Sequence, residues 1–501
     1  MPGVNTTAVP SKDGRSTMYR ITTTSANKNP ASVPPPSQPT PPPPPPPESA
    51  PTSSETTTTK PDGEYTDQEL LNLVSYFEAS RADLKNRVDS LLAQPIIRPK
   101  RIDSAAPKLF DNEYIKTHGN SRTLKLYSQG DPITLPVAST LRLLSNNSTI
   151  HSFSQVWISA KFAFRDYTNP LNYGLIADRT SARGLILAVQ AFVIRHLLLK
   201  NILSSNRHRS ISVSVEARNE ALVDALTEIL WQAGEHRGAT VCMPYAGDEC
   251  FSNYGAHYVP DGVTERLHLF EFVDIAKLRT FVIKCLPYFM KENGVVLFLY
   301  SLMLSRTLKK LIEDLDHTRL VGDRDEASIQ MVMLALTGRA LHYFHNGNIE
   351  FDINGNLMER AHIGVKDRCS IGFLYWSKHE DDSFWHKQEV GSMLRTPKIP
   401  VWLICLNRRY AVLFSTNINL LNNWIYENYF QLHVYTGLKN QEGPCLLSID
   451  TREQYPASIY GNFFEDNEAI IPEFVQLLHT RWPGCTIENG DEILHELMTY
   501  F

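Results

Sequence analysis

Residues 153–198 have the sequence FSQVWISAKFAFRDYTNPLNYGLIADRTSARGLILAVQAFVIRHLL, and this stretch decides the fold. The run at residues 184–200 is strongly apolar and contains no glycine or proline after its first residue. Such a run predicts a helix that is buried on all sides. The preceding run DRTSARG, residues 178–184, is where we expect that helix to begin.

Working outward from this helix, helical patterns precede short β-rich runs. The predicted helices are 215–231 and 329–342, and the predicted strands are 401–406, 410–415, 431–435 and 445–449. Because helices come first and strands dominate later, the order predicts an α+β domain that extends from residue 105 to residue 501.

The first 64 residues differ in composition from the rest of the chain. They contain 16 of the 31 prolines, and serine, threonine and asparagine fill much of the remainder. We predict a disordered tail at residues 1–64, because so few large apolar side chains cannot offset the entropy of ordering. Seven consecutive prolines run from Pro41 to Pro47. They are either a ligand for SH3, WW or profilin-like modules or a solvated spacer.

The sequence of residues 65–104 predicts an amphipathic helix followed by a linker. Thr66 and Glu69 have the spacing of a capping box, and leucine or phenylalanine recurs every seven residues from Leu70 to Leu91. The heptad spacing is compatible with a coiled coil, and equally with a helix that packs on its own domain.

Charge and apolar patterning exclude several classes of partner. The net charge is −5, which gives no electrostatic reason to expect nucleic acid or an anionic membrane as a partner. The first residues lack the apolar segment of a secretory signal, and the longest apolar run, residues 295–304, is too short to span a bilayer. We therefore expect a cytoplasmic or nuclear protein. The seven cysteines form no CxxC pair, so neither a metal nor another cofactor is predicted.

A search for catalytic residues by chemistry alone finds no convincing site. A cysteine at a helix N-terminus is a recurrent nucleophile, but the helix start at 178–184 contains Arg183 and no cysteine. Ser181 at that start is more typical of a helix cap. Cys242 and Cys250, with His257 downstream, are an alternative nucleophile and base with no supporting motif.

The residues around the buried helix resemble the start of the catalytic domain of the MINDY cysteine deubiquitinases. In one branch of that family the pattern includes YGL, then GGPC, then a long helix. The matching residues here are Trp157, Phe162, Phe164, Tyr173, Gly174, Leu175, Gly184, Ala188, Val189, Gln190 and Ala191. Further blocks match in order at 294–306, 320–322, 336–338, 371–374, 390–415 and 481–484.

The resemblance implies a papain-like cysteine-protease fold, in which a helical part faces a sheet across the active cleft. Active members cleave ubiquitin chains by thiol acyl transfer and prefer lysine-48 linkages. Ubiquitin or polyubiquitin is therefore the implied partner.

The departures from the family pattern fall on the chemical residues. Arg183 stands where the family has the nucleophilic cysteine, Arg409 where it has the general-base histidine, and Ala177 where it has the glutamine of the oxyanion site. An arginine stays protonated and cannot act as a base, and alanine offers no side-chain donor to an oxyanion. The resemblance therefore predicts an inactive member of the family, similar to its inactive branch, that keeps ubiquitin-chain binding or a scaffolding role.

Two alternative functions remain at this stage, and so does the role of the two arginines. The first alternative is an enzyme after all, either an active deubiquitinase with a relocated nucleophile or a different hydrolase in the same cleft. The second is an adaptor that has lost ubiquitin binding and works through its proline-rich tail and the helix at 66–93. As for the two arginines, we favour surface residues in a cleft that has drifted. The alternative is that Arg183 and Arg409 fill the cleft and meet a carboxylate there.

Overall fold

The computed structural model describes residues 130–500, apart from 147, 179–180, 201, 204–212, 246–247, 255–257, 353, 379–389, 453–471, 489–496 and 498–499. Several predicted features lie outside the described residues: the tail at 1–64 with its proline run, the helix within 65–104, Thr180 and His257.

The described residues contain both helices and strands. The helices are α1 (Leu135–Asn146), α2 (Gln155–Ser159), α3 (Arg183–Leu199), α4 (Val215–Ala233), α5 (Ile275–Phe289), α6 (Gly294–Arg306), α7 (Leu308–Leu315), α8 (Ile329–Thr337), α9 (Ser392–Arg395) and α10 (Glu473–His479). The strands are β1 (Asp131–Pro132), β2 (Ala239–Pro244), β3 (Leu267–Phe272), β4 (Asn348–Phe351), β5 (Leu357–Ile363), β6 (Gly372–Trp376), β7 (Val401–Leu406), β8 (Arg409–Phe414), β9 (Tyr429–Tyr435), β10 (Cys445–Asp450) and β11 (Thr486–Glu488).

Helix α3 is the centre of the core. It packs against α4 and α8 on the helical side and against β7 and β8 on the other. Most of its side chains are fully buried, as its unbroken apolar sequence predicts. At its first turn a side chain on Gly184 would lie 3.1 Å from the ring of Tyr410. The first turn of the helix therefore packs directly against β8.

The main sheet has six strands in the order β11-β10-β9-β8-β7-β6. All of its neighbours are antiparallel except β6 and β7, which are parallel. On β8, Val412 and Phe414 join the core that contains α3, whereas Ala411 and Leu413 join a second apolar cluster. That second cluster includes Phe474 and Leu478 of α10. The sheet thus separates α3 from α10.

One predicted element needs correction, and two features of the helical part were not predicted. The helix predicted at 329–342 ends at Thr337, because Gly338 has a φ of +76° and a Cβ there would lie 2.6 Å from the Gln232 carbonyl oxygen. Cys242, the alternative nucleophile, lies within β2, a strand that was not predicted. The helical part also contains a three-stranded sheet in the order β1-β3-β2, which was not predicted.

The mixture of helices and sheets confirms the α+β prediction, whereas the papain-like architecture stays a prediction. Within the described part of the chain, no helix is both long enough and apolar enough to cross a membrane.

Candidate functional site at the N-terminus of helix α3

The segment that leads into the site is held by one buried glutamine. The Gln190 side chain of α3 accepts a hydrogen bond from the Leu175 backbone N–H at 2.6 Å and donates to the Tyr173 carbonyl at 3.2 Å. From the sheet side, the Tyr435 hydroxyl donates to the Leu175 carbonyl at 2.7 Å. A side chain on Gly174 would overlap the Tyr435 ring. The chain entering the site is therefore fixed from the helix and from β9.

Ala177 is buried and its backbone is fully engaged. Its N–H donates to the Gly437 carbonyl at 2.8 Å, and its own carbonyl accepts from Arg183. Gly437 has a φ of +73°, and a Cβ there would lie 2.9 Å from the Ala177 Cβ. Neither a side chain nor the backbone N–H of Ala177 is available to stabilise an oxyanion.

The next residue, Asp178, ties the same segment to the loop between β9 and β10. Its carboxylate accepts a hydrogen bond from the Lys439 backbone N–H at 3.2 Å and pairs with the Lys439 ammonium at 2.9 Å. Burial acts to raise the pKa of Asp178, but the hydrogen bonds from Lys439 and the charges of Lys439 and Arg183 outweigh it, so the pKa is lowered.

Arg183 is the first residue of α3, and its guanidinium reaches three backbone carbonyls. Nη1 donates to Ala177 at 2.5 Å, and Nη2 donates to Tyr410 at 2.8 Å and to Thr436 at 2.5 Å. These carbonyls belong to the loop before α3, to β8 and to the end of β9. One half-buried side chain thus joins the helical part to the sheet at the position that the resemblance assigns to the nucleophile.

The guanidinium lies where two strands stop pairing. Strands β8 and β9 are paired from Phe414 and His433 as far as Val412 and Tyr435. The Tyr410 and Thr436 backbone carbonyls lie beyond the last paired residues of β8 and β9, and Arg183 donates a hydrogen bond to each. The side chain therefore completes the hydrogen bonding of two strand ends that would otherwise need water.

The energetics explain why a cation is tolerated at a helix start. A positive charge in the first turn opposes the helix dipole by roughly 0.3–1 kcal/mol. Hydrogen bonds that involve a charged group contribute about 1.5–3 kcal/mol each. Three such bonds outweigh the dipole term, so Arg183 is a net stabilising residue. It offers neither a nucleophile nor a base.

Arg183 does not fit the expectation of a drifted surface arginine. It is half-buried, its hydrogen-bond acceptors named above are backbone carbonyls, and its charge also acts on the Asp178 carboxylate.

Arg409 differs from Arg183 in its placement. It is exposed and opens β8 after a two-residue turn in which Asn407 and Arg408 have φ values of 48° and 66°. Along a strand, side chains alternate between faces. Arg409 therefore begins on the face of Ala411, opposite to Tyr410. The residue after Arg409 contacts Arg183, because the Tyr410 backbone carbonyl accepts a hydrogen bond from the Arg183 guanidinium. The roles assigned to Ala177, Arg183 and Arg409 stay predictions.

One acidic residue in the site was missed by sequence reasoning. Asp325, with a φ of +61°, accepts hydrogen bonds from the Ser154 and Ser181 hydroxyls at 2.6 and 3.0 Å. Its carbonyl accepts from the Trp157 indole at 3.0 Å. Ser181 is consequently not the cap of α3; the cap position is Ala182, which makes no side-chain cap bond. No local signal links residues this far apart in the sequence.

The thiols offer little support for a relocated cysteine nucleophile. None of the seven cysteines forms a disulfide; six are buried and Cys250 is half-buried. Burial raises the pKa of Cys242, Cys369 and Cys485 to about 12, and it also raises the pKa of Cys250 and Cys285. Thiols with raised pKa values are poor sources of thiolate. Among the described residues, no group of His, Cys, Asp or Glu side chains is arranged to hold a metal ion.

Comparison with known proteins identifies the family. The family model for the conserved domain of the deubiquitinating enzymes MINDY-3/4 matches residues 142–491. The chain belongs to the MINDY-3/4 family. The matched range includes Ala177, Arg183 and Arg409, so the site described above lies inside the MINDY-3/4 domain.

Curated relatives agree with this assignment. The chain is 31% identical over 374 residues to the mouse protein named probable ubiquitin carboxyl-terminal hydrolase MINDY-4, covering 74% of this chain and 48% of the relative. The human protein of the same name is 30% identical over 397 residues, covering 78% and 50%. Bovine ubiquitin carboxyl-terminal hydrolase MINDY-3 is 26% identical over 263 residues, covering 48% and 56%. The chain spans about half the length of the MINDY-4 relatives. No solved structure matches it significantly.

Proposed function

We propose that the chain is a catalytically inactive ubiquitin carboxyl-terminal hydrolase of the MINDY type that retains binding of ubiquitin chains. The observation that carries this proposal is Arg183, which stands at the position that the resemblance assigns to the nucleophile and whose guanidinium donates to three carbonyls. A guanidinium cannot form a thioester, and residues 178–184 contain no cysteine.

Two further features support inactivity. The Ala177 N–H is already bonded to Gly437, which removes a donor from the oxyanion position. The raised thiol pKa values oppose the alternative of a deubiquitinase with a relocated cysteine. We also propose that the domain is papain-like, with the start of α3 facing the start of β8, and that lysine-48-linked chains are the preferred ligand.

The first experiment follows cleavage of long lysine-48-linked ubiquitin chains on gels, with the full chain at micromolar concentration. We expect the chains to stay intact. Turnover that scales with the protein concentration and disappears in a Cys250→Ser variant would contradict inactivity, because Cys250 is the most accessible thiol.

The second experiment titrates the full chain with ubiquitin and with lysine-48-linked tetraubiquitin. We expect saturable binding that is tighter for the tetramer. Absence of binding to either would contradict the proposal and favour the adaptor alternative. In that case the proline run from Pro41 to Pro47 would supply the interaction with SH3, WW or profilin-like modules.

A further inference from the structure

The residues that follow β9 close over the start of α3. We call residues 436–439 the closing segment; its first three residues are buried. The Gln441 side chain accepts hydrogen bonds from the Thr436 backbone N–H and hydroxyl at 2.8 Å each. The Leu438 carbonyl accepts a hydrogen bond from the guanidinium of the buried Arg165. The closing segment is therefore a built part of the domain and not a loose surface loop.

Two carbonyls of the closing segment lie at the positions that the resemblance assigns to chemistry. The Gly437 carbonyl accepts a hydrogen bond from the Ala177 N–H at 2.8 Å, and the Thr436 carbonyl accepts one from Arg183 at 2.5 Å. Acyl transfer requires the reacting carbonyl of a substrate at about 3–3.5 Å from the nucleophile. The closing segment thus holds its own carbonyls where a substrate carbonyl would have to lie.

Packing leaves no room for a second chain beneath the closing segment. Gly437 has a φ of +73°, and a Cβ there would lie 2.9 Å from the Ala177 Cβ and 3.1 Å from Leu187 Cδ2. Leu187 is a fully buried residue of α3. On the outer side, the Asp178 carboxylate pairs with the Lys439 ammonium at 2.9 Å. A peptide that entered here would have to displace the segment and break these contacts before it made its own.

We propose that the closing segment occupies the place of a substrate tail, so that bound ubiquitin is recognised through its folded body and not through its carboxyl-terminal tail. The inference rests on the proposed function and names the part of ubiquitin that is recognised. It has a consequence for specificity. Free chains and chains attached to another protein differ at the carboxyl terminus of one ubiquitin, so the protein should bind both alike.

The first experiment compares the affinity of the full chain for ubiquitin and for ubiquitin that lacks its carboxyl-terminal tail. The two dissociation constants should agree within about twofold. A larger loss of affinity for the truncated form would show that the tail is recognised and would overturn the proposal. If the full chain binds neither form, the proposed function fails, and the next experiment tests the closing segment by itself.

Hydrogen exchange of the Ala177 backbone amide reports whether the closing segment is in place, because this amide donates to Gly437. The amide should be protected in the full chain, and saturating ubiquitin should leave its exchange rate unchanged. Exchange at the rate of an unprotected amide would show that the segment is open. A faster rate on addition of ubiquitin would show that the ligand displaces it. Either result would overturn the proposal.

Two matched substitutions in the loop between β9 and β10 sharpen this experiment. Gly437→Val cannot keep the close packing, so the Ala177 amide should exchange at least about tenfold faster relative to buried amides of α4, which report global unfolding. Gly443→Val is the control, since Gly443 is exposed and no described atom lies within 4 Å of a Cβ built there. It should exchange like the parent. Parent-like exchange of Ala177 in Gly437→Val would contradict the closed arrangement.

Discussion

Two adjacent segments of the chain, 173–175 and 177–183, differ in how far their residues match the family pattern. In the first, Tyr173, Gly174 and Leu175 match the family pattern, and Gln190 holds them with two buried hydrogen bonds. In the second, the residues expected to do chemistry are replaced, and Arg183 joins the surrounding backbone instead. The comparison teaches that the residues that hold the backbone of the site and the residues at the positions predicted for chemistry can change independently.

The largest effect is expected from the matching segment. Gln190→Met keeps the side-chain volume but leaves the Leu175 N–H and the Tyr173 carbonyl buried without that partner. Each unsatisfied buried group costs about 1–3 kcal/mol, so the free energy of unfolding should fall by about 2–5 kcal/mol. Urea denaturation measures it. A loss below about 1 kcal/mol would show that the glutamine does not hold this segment.

A smaller loss is expected from the replaced segment. Arg183→Met removes three hydrogen bonds, but the site is half-buried, so water can reach part of the freed carbonyls. We expect a loss of about 2–3 kcal/mol in the same denaturation experiment. Arg183→Lys, which keeps the charge but loses the forked geometry, should fall between the two proteins. An unchanged stability in Arg183→Met would mean that Arg183 is a surface residue after all.

The ion pair of Asp178 and Lys439 should contribute less. Its side chains are 36% and 71% exposed, so solvent screening limits the loss in Asp178→Asn to roughly 0.2–1 kcal/mol. The pKa of Asp178 is lowered in the folded protein. Its contribution is therefore present above the unfolded pKa of about 3.9 and is lost as the pH falls through the folded pKa. Denaturation of both proteins at pH 7 and at successively lower pH values below 4 should show the difference shrink and then disappear below the folded pKa; a difference that does not shrink would contradict the ion-pair explanation.

The smallest effect is expected at the exposed arginine. Arg409→Met should change the free energy of unfolding by less than about 0.5 kcal/mol, as is usual for a surface position. It is also the matched control for Arg183→Met, since both remove one guanidinium. Equal losses in the free energy of unfolding of the two variants would contradict the distinction between the half-buried Arg183 and the exposed Arg409.

Local patterns predicted the elements well but not their contacts. Helix α3 and strands β7, β9 and β10 were predicted within about two residues, because their apolar runs are bounded by polar ones. The contacts that define the site are nonlocal: Arg183 meets carbonyls 227 and 253 residues away. No periodicity encodes such pairings. The hydrogen bond between Ser181 and Asp325 was not predicted for the same reason.

Covalent capture by ubiquitin vinyl sulfone tests the proposed inactivity most directly, because the electrophile reports any accessible thiolate that ubiquitin reaches. The full chain should form no adduct under conditions that fully convert an active member of the family. Arg183→Met should form none either, since removing the guanidinium restores no nucleophile. An adduct with the unmodified chain that disappears when a single cysteine is replaced by serine would contradict the account.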